Sequence, residues 1–257
     1  MQLFRYSLSI IIISFLSFSL LSCDDQPTQF DDGDPADDFS HTTNPGNSNE
    51  AFVTDDDFDE LVVEVHYMPG VEPRQESIDN LQDFLEQHLE KSSITILTPQ
   101  EIPSGEQESY SADDIRDLED EHRSTFTEGS QLASYAIFVD GEFDRSSNVL
   151  GIAYRNTSTA YFGETIHRIS GGIGAPSRVQ IESTVFNHEF GHLMGLVNNG
   201  TDAQNADHHD SDNGAHCTED ECLMYFQVNT TDFFANLFDG SVPDLDEFCV
   251  EDIEALK

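Results

Sequence analysis

Basic side chains are scarce in this chain. Lys and Arg together number 10 among 257 residues, against 51 Asp and Glu, for a formal net charge of −41. Nucleic acid is excluded as a partner, because nothing here could neutralise a row of phosphates. A charge of this size keeps a protein soluble and repels anionic surfaces; it says nothing about fold. Long apolar runs are also lacking. The one sustained run, Leu8 to Leu21, is broken by serines and too short for a comfortable membrane span. No internal repeat is visible. Setting aside a leader and a polar stretch leaves roughly 200 residues, enough for one domain with a proper core, and a monomer is expected.

What is present begins at the N-terminus. Arg5 supplies a small positive charge ahead of the apolar run, which ends in Leu20-Leu21-Ser22-Cys23. That ending resembles the bacterial lipobox, in which the cysteine is acylated and becomes the new N-terminus. Residues 1–22 are therefore expected to be a lipoprotein signal peptide, with Cys23 as the lipid anchor to a membrane. The address implied is the bacterial cell envelope, at the outer membrane or cell surface. The pair Asp24-Asp25 resembles the export tag of some surface lipoproteins.

From Asp24 to Glu60 there is no Lys or Arg, and three acidic clusters (Asp31-Asp32, Asp37-Asp38, Asp55-Asp56-Asp57) alternate with turn formers. So few apolar residues cannot offset the ordering entropy, so 23–60 reads as a flexible acidic tether, with a propeptide as the alternative. The folded domain is expected over 61–257. Leu61 to Tyr67, Ile94 to Leu97 and Leu132 to Asp140 read as strands. Ser77 to Glu90, and Ala112 to about Phe126 behind the cap Ser111, read as helices. Val149–Tyr154 and Ser158–Phe162 look like two further strands. Gly171 to Pro176 connects to a long helix from about Arg178 to Met194, and Asp244 to Lys257 closes the chain as a short helix. Alternating strands and helices argue for a sheet with parallel members and packed helices.

The long helix carries His188-Glu189-Phe190-Gly191-His192. Histidines four apart stack on one helical face, so both imidazoles can reach one ion. Glu189 lies roughly 100° further round the helix, near the ion without being forced to bind it. That position suits a carboxylate that takes a proton from a zinc-activated water and later delivers it to a leaving amine. Phe186, Phe190, Leu193 and Val197 form one apolar stripe, and Ile181, Val185, His188 and His192 another opposite it. A helix patterned on both sides sits inside a domain.

The pattern continues with Gly195, as in H-E-x-x-H-x-x-G, where glycine lets the chain turn sharply off the helix. This resembles the metzincin clan of zinc peptidases, whose motif goes on to a third ligand and then a methionine turn beneath the metal. The expected ligand position holds Asn198, a poor ligand. With residues 198–215 set aside as an inserted loop, the chain reads H-E-F-G-H-L-M-G-L-V-H-C-x-x-x-x-C-x-M, which resembles the archaemetzincin signature. The resemblance implies an α+β, metzincin-like zincin domain: a mixed twisted sheet with packed helices, an active-site helix and a Met-turn at Met224. It implies His216 as third zinc ligand beside His188 and His192, with His208, His209 and Asn198 as rivals. It implies one catalytic zinc, Glu189 as general base, and Val149–Tyr154 as an edge strand that pairs with extended substrate. Tyr225 is a candidate oxyanion donor or a packing residue.

Archaemetzincins carry a later Cys-x-x-Cys that completes a second zinc site; here only Cys249 remains, so a second metal is not expected. Cys217 and Cys222 are expected as a disulfide, or Cys249 as the partner of either. Asp202, Asp207, Asp210 and Asp212 could hold calcium but lack the EF-hand spacing, and solvation explains them. The function expected is a zinc-dependent peptidase, an endopeptidase acting on peptide or protein substrate. The alternatives are a non-catalytic zinc-binding surface lipoprotein with a metzincin fold, and a zinc hydrolase acting on something other than peptide.

Overall fold

Leu61, Val63 and Val65 alternate along the chain with Val62, Glu64 and His66, and all six are buried. The strand they form is therefore covered on both faces, as in the centre of a parallel sheet. The computed structural model describes residues 35–257 apart from 173 and 235–240. A 3-10 turn (Pro35–Asp38) and α1 (Asn49–Val53) precede this strand, β1 (Glu60–Tyr67). There follow α2 (Gln75–His88), β2 (Ser93–Ile96), β3 (Gln100–Glu101), β4 (Ser109–Tyr110) and α3 (Ala112–His122). Next come β5 (Gln131–Val139), β6 (Glu142–Phe143), β7 (Gly151–Arg155), β8 (Ser158–Phe162), α4 (Gly163–Ile169) and α5 (Arg178–Leu193). A 3-10 turn (Ala206–His208), α6 (Thr231–Phe234) and α7 (Glu247–Glu254) complete the described elements.

The strands join in the order β2-β1-β5-β8-β7. The first four run parallel, β3 adds in parallel to β1, and β7 returns antiparallel on β8 as an edge. This is the mixed sheet with packed helices that the strand and helix order predicts. One face carries Phe138 and Tyr161, whose rings stack at 4.8 Å and both meet Phe186 of α5. With α2 packed beside it, α5 is buried almost throughout, which its two apolar stripes require.

The opposite face is polar and buried. Glu64 accepts the Ser124 and Thr125 N–H groups and the Ser124 hydroxyl, and lies 3.3 Å from His66. Glu119 pairs with Arg123 at 2.7 Å and Arg155 at 3.0 Å, and accepts the Ser158 hydroxyl. Helix α3 opens on the Ser111–Asp114 capping box and stops at His122, short of the expected Phe126. The reason is Arg123: its backbone turns extended, which carries the guanidinium to Glu119 and to the Ala133 carbonyl.

The tether expected over 23–60 is corrected over its described part. Phe52, Val53 and Phe58 are buried in the core, and Phe39 meets Phe58 edge-on. Thr43 and Asn156 exchange hydrogen bonds, and the Asn156 amide also donates to Ser40 and Ser48. Lys91 donates to the carbonyls of Ala51, Thr54 and Phe58. A few well-placed aromatics and two long-range polar clamps order a stretch whose average composition argues for disorder. The leader, Cys23 and Asp24-Asp25 lie outside the described residues. No helix among the described residues is long and apolar enough to cross a membrane.

Removing Glu119 from the polar face leaves Arg123 buried without a carboxylate partner, while Arg155 keeps Asp120 at 2.6 Å. Glu119→Ala is expected to cost about 3–5 kcal/mol of unfolding free energy, read from urea denaturation. A loss under about 1 kcal/mol would show that Arg123 and Arg155 find other partners.

Candidate metal centre

Helix α5 begins on Ser177, whose hydroxyl accepts the Gln180 N–H. It ends where the motif places glycine: Gly195 has φ +75°, and its N–H donates to the His192 carbonyl. A Cβ there would stand 2.8 Å from Asn49 Cβ and from the Thr201 nitrogen, so both conformation and space demand glycine.

His188 and His192 project from this helix to meet His216, which arrives from the far end of the 198–215 loop. Their ligating nitrogens all lie within 4.8 Å of one another. The His188 and His216 rings lie nearly parallel with centroids 5.3 Å apart, and His192 stands across both. His188 Nδ1 is 2.7 Å from the Leu223 carbonyl, and His216 Nδ1 is 2.8 Å from the Asn213 carbonyl. A carbonyl only accepts, so each Nδ1 carries the proton and each Nε2 keeps its lone pair. Both Nε2 atoms are buried without a hydrogen-bond partner.

The electrostatics agree. Burial, reinforced by the neighbouring His216, pulls His188 down to about 3. Burial likewise holds His192 far below the usual histidine range and lowers His216. Three neutral imidazoles converge, which is the form that binds a metal. Burial pushes the Glu189 carboxyl up to about 8, opposed by the Ala153 N–H and the Asn229 side chain. Glu189 Oε1 is buried and has no partner.

Two close approaches define the surroundings. A Cβ at Gly191 would stand 2.3 Å from Met224 Sδ, so the thioether lies against the helix turn that carries His192. A Cβ at Gly151 would be 2.6 Å from Val185 Cγ1 and 3.0 Å from Glu189 Oε1. Glycine at that position brings β7, the edge strand of the sheet among the described residues, directly against the carboxylate.

The rivals for the third position are elsewhere. Asn198 is exposed with φ +56°, and His209 bonds the Gly214 carbonyl. His208 is buried beside Cys217 and Asp252 and is absent from the His188 group. In the same loop Asp202, Asp207 and Asp212 are exposed. Tyr225 is half-buried with its ring on Phe226. The expected disulfides are corrected: Cys217, Cys222 and Cys249 are free thiols. The Cys222 and Cys249 sulfurs are 3.7 Å apart, well beyond the roughly 2.0 Å of an S–S bond. Sequence spacing could not show Asn229, which reaches Glu189 from a distant turn, nor the two carbonyls that fix the histidine tautomers.

No protein-family model matches the chain, and no curated protein matches it. Among solved structures, the chain is similar to the crystal structure of archaemetzincin from Methanopyrus kandleri. The two share 16% identity with a TM-score of 0.49, over 77% of this chain and 95% of that one.

The Gly191–Met224 contact can be tested without metal or substrate. Gly191→Ala is expected to destabilise the fold by about 1–3 kcal/mol through overpacking. In a double-mutant cycle, Met224→Ala should return part of that loss; strict additivity would show that the two residues do not share the space.

Proposed function

We propose that this chain is a zinc-dependent peptidase that cleaves within extended peptide segments. The observation that carries the reading is the convergence of three neutral imidazoles beside a buried, unpartnered carboxylate oxygen at the free edge of a sheet. His188, His192 and His216 would hold the zinc ion. When bound, zinc in such a site acidifies a water and polarises the scissile carbonyl.

Glu189 would take the proton of the attacking water and deliver it to the leaving amine, two tasks that its position between α5 and β7 allows. Strand β7 would pair with the substrate backbone by strand addition, Gly151 keeping that strand close to Glu189. The HEFGHLMG motif with His216 and Met224, metzincin-like in its order, supports the same assignment. Glu189 itself weighs against a purely zinc-binding role, since a binding module has no use for that carboxylate. A lipid anchor at Cys23 and a place in the cell envelope belong to this proposal on the strength of Leu20-Leu21-Ser22-Cys23.

The test is proteolysis of mixed unfolded proteins by the full chain. Cleavage is expected to stop with a chelator and to return with zinc. In Glu189→Gln it should fall by about 10²-fold or more while zinc stays bound. Cleavage that survives both the chelator and the substitution would overturn the proposal. A zinc-loaded protein that cleaves no peptide would point instead to another substrate class or to binding alone.

A further inference from the structure

Strand β7 is an edge of the sheet among the described residues, and its backbone alternates between a paired and an open side. The Phe162 N–H donates to the Leu150 carbonyl at 2.9 Å. Bonded pairs alternate along an antiparallel ladder, so in this register Ile152 bonds Ala160, while Gly151 and Ala153 turn their N–H and C=O groups outward. A peptide added there extends the sheet, and its successive side chains stand over opposite faces. Gly151 faces α5, because a Cβ on it would meet Val185 and Glu189. Ile152, one residue on, faces the other way, toward α3.

A cavity of about 400 Å³ opens on that second face, beside the edge. Half-buried Ile152 and Phe143 give it apolar walls, the Phe143 ring resting 5.2 Å from that of Phe162. Arg116 and Arg145, two of the chain's 10 basic residues, line it as well. Arg116 of α3 is tied to β7, its Nη2 donating to the Tyr154 carbonyl at 3.2 Å. Arg145 is exposed and makes no hydrogen bond or ion pair among the described residues. Two carboxylates share the lining. Asp113 meets Arg116 at 2.7 Å, but its side chain is 92% exposed, and so open a pair holds its partner weakly. Asp144 is exposed too. The cavity thus balances two charges of each sign on a chain whose formal charge is −41. An anion repelled by the protein as a whole meets two guanidinium groups here.

We infer that this cavity is a specificity subsite for an acidic side chain of the peptide substrate, an inference that rests on the peptidase reading. The substrate residue that stands over the α3 face lays its methylenes against Ile152 and Phe143. Its carboxylate takes charge-assisted hydrogen bonds from Arg116 and Arg145. Ile152 to Tyr154 follow Gly151 in one direction along β7, so the acidic residue lies within about three positions of the cleaved bond and on one side of it only.

Two readouts keep this subsite distinct from the cleavage it serves. The zinc-loaded full chain is given a mixed library of short peptides, and the products are sequenced. Asp and Glu should be enriched at one position, on one side of the cleaved bond. With Glu at that position, kcat/KM should exceed that of the Gln counterpart about 10-fold at low salt, and the ratio should shrink as salt rises. Arg145→Gln should bring the ratio close to one, and Arg145→Glu should favour Lys at the same position. Because Arg145 is exposed and unpaired, neither change threatens the fold. Selection of the same library on the zinc-loaded Glu189→Gln chain should also enrich the acids, and it reads the subsite even where no peptide is cut. Cleavage without acid preference, or a preference that both Arg145 variants retain, would overturn the inference and leave the peptidase reading standing. Acid selection that Arg145→Gln abolishes, in a protein that cuts nothing, would do the reverse.

Discussion

Burial of helix α5 is the constraint on which the rest of the structure depends. The helix carries apolar residues on two opposite sides, so the sheet, α2 and α1 close around it, and its polar side chains are enclosed with them. Enclosed imidazoles cannot stay charged without a close partner, and the weak pull of Asp210 on His216 does not outweigh burial. Instead Leu223 and Asn213 present carbonyls, which accept hydrogen bonds from the Nδ1–H groups and leave the Nε2 lone pairs pointing inward. The same desolvation raises Glu189. A protein core that excludes water thus prepares three electron-pair donors and, beside them, one carboxyl of raised proton affinity.

The chain's few cations serve the fold. Arg123 and Arg155 neutralise Glu119 behind the sheet, Arg178 pairs with Glu182 at the start of α5, and Lys91 gathers three carbonyls that tie the N-terminal segment down. The acidic excess stays on the surface, most visibly in the loop 198–215. That loop is nevertheless tethered at its centre by the buried His208, and His216, the residue that follows it, is held by the Asn213 carbonyl.

Much of this was legible in the sequence. Period-two and period-3.6 patterns placed β1, β5, α2 and α5 within a few residues, because those elements bury regular faces. The spacing of His188, Glu189, His192 and Gly195 located the helix and its end. Asn198 showed that the third position had moved, and the spacing of His216 to Met224 suggested where. Other features depended on contacts between distant segments. The order of residues 35–60 rests on Asn156 and Lys91, far along the chain, which composition cannot reveal. His208 is buried against Asp252, and neither spacing nor period links the two. The cysteines misled for the same reason: a spacing suited to a disulfide also suits free thiols that meet a third cysteine and a histidine in space.

The most direct measurement of the central claim is a crystal of the full chain grown with zinc, with anomalous diffraction recorded on either side of the zinc edge. The account predicts an anomalous peak about 2.0–2.1 Å from an imidazole nitrogen of each of His188, His192 and His216, with Glu189 outside bonding distance. A map with no peak among those three rings, or a peak that His216 does not ligate, would contradict it.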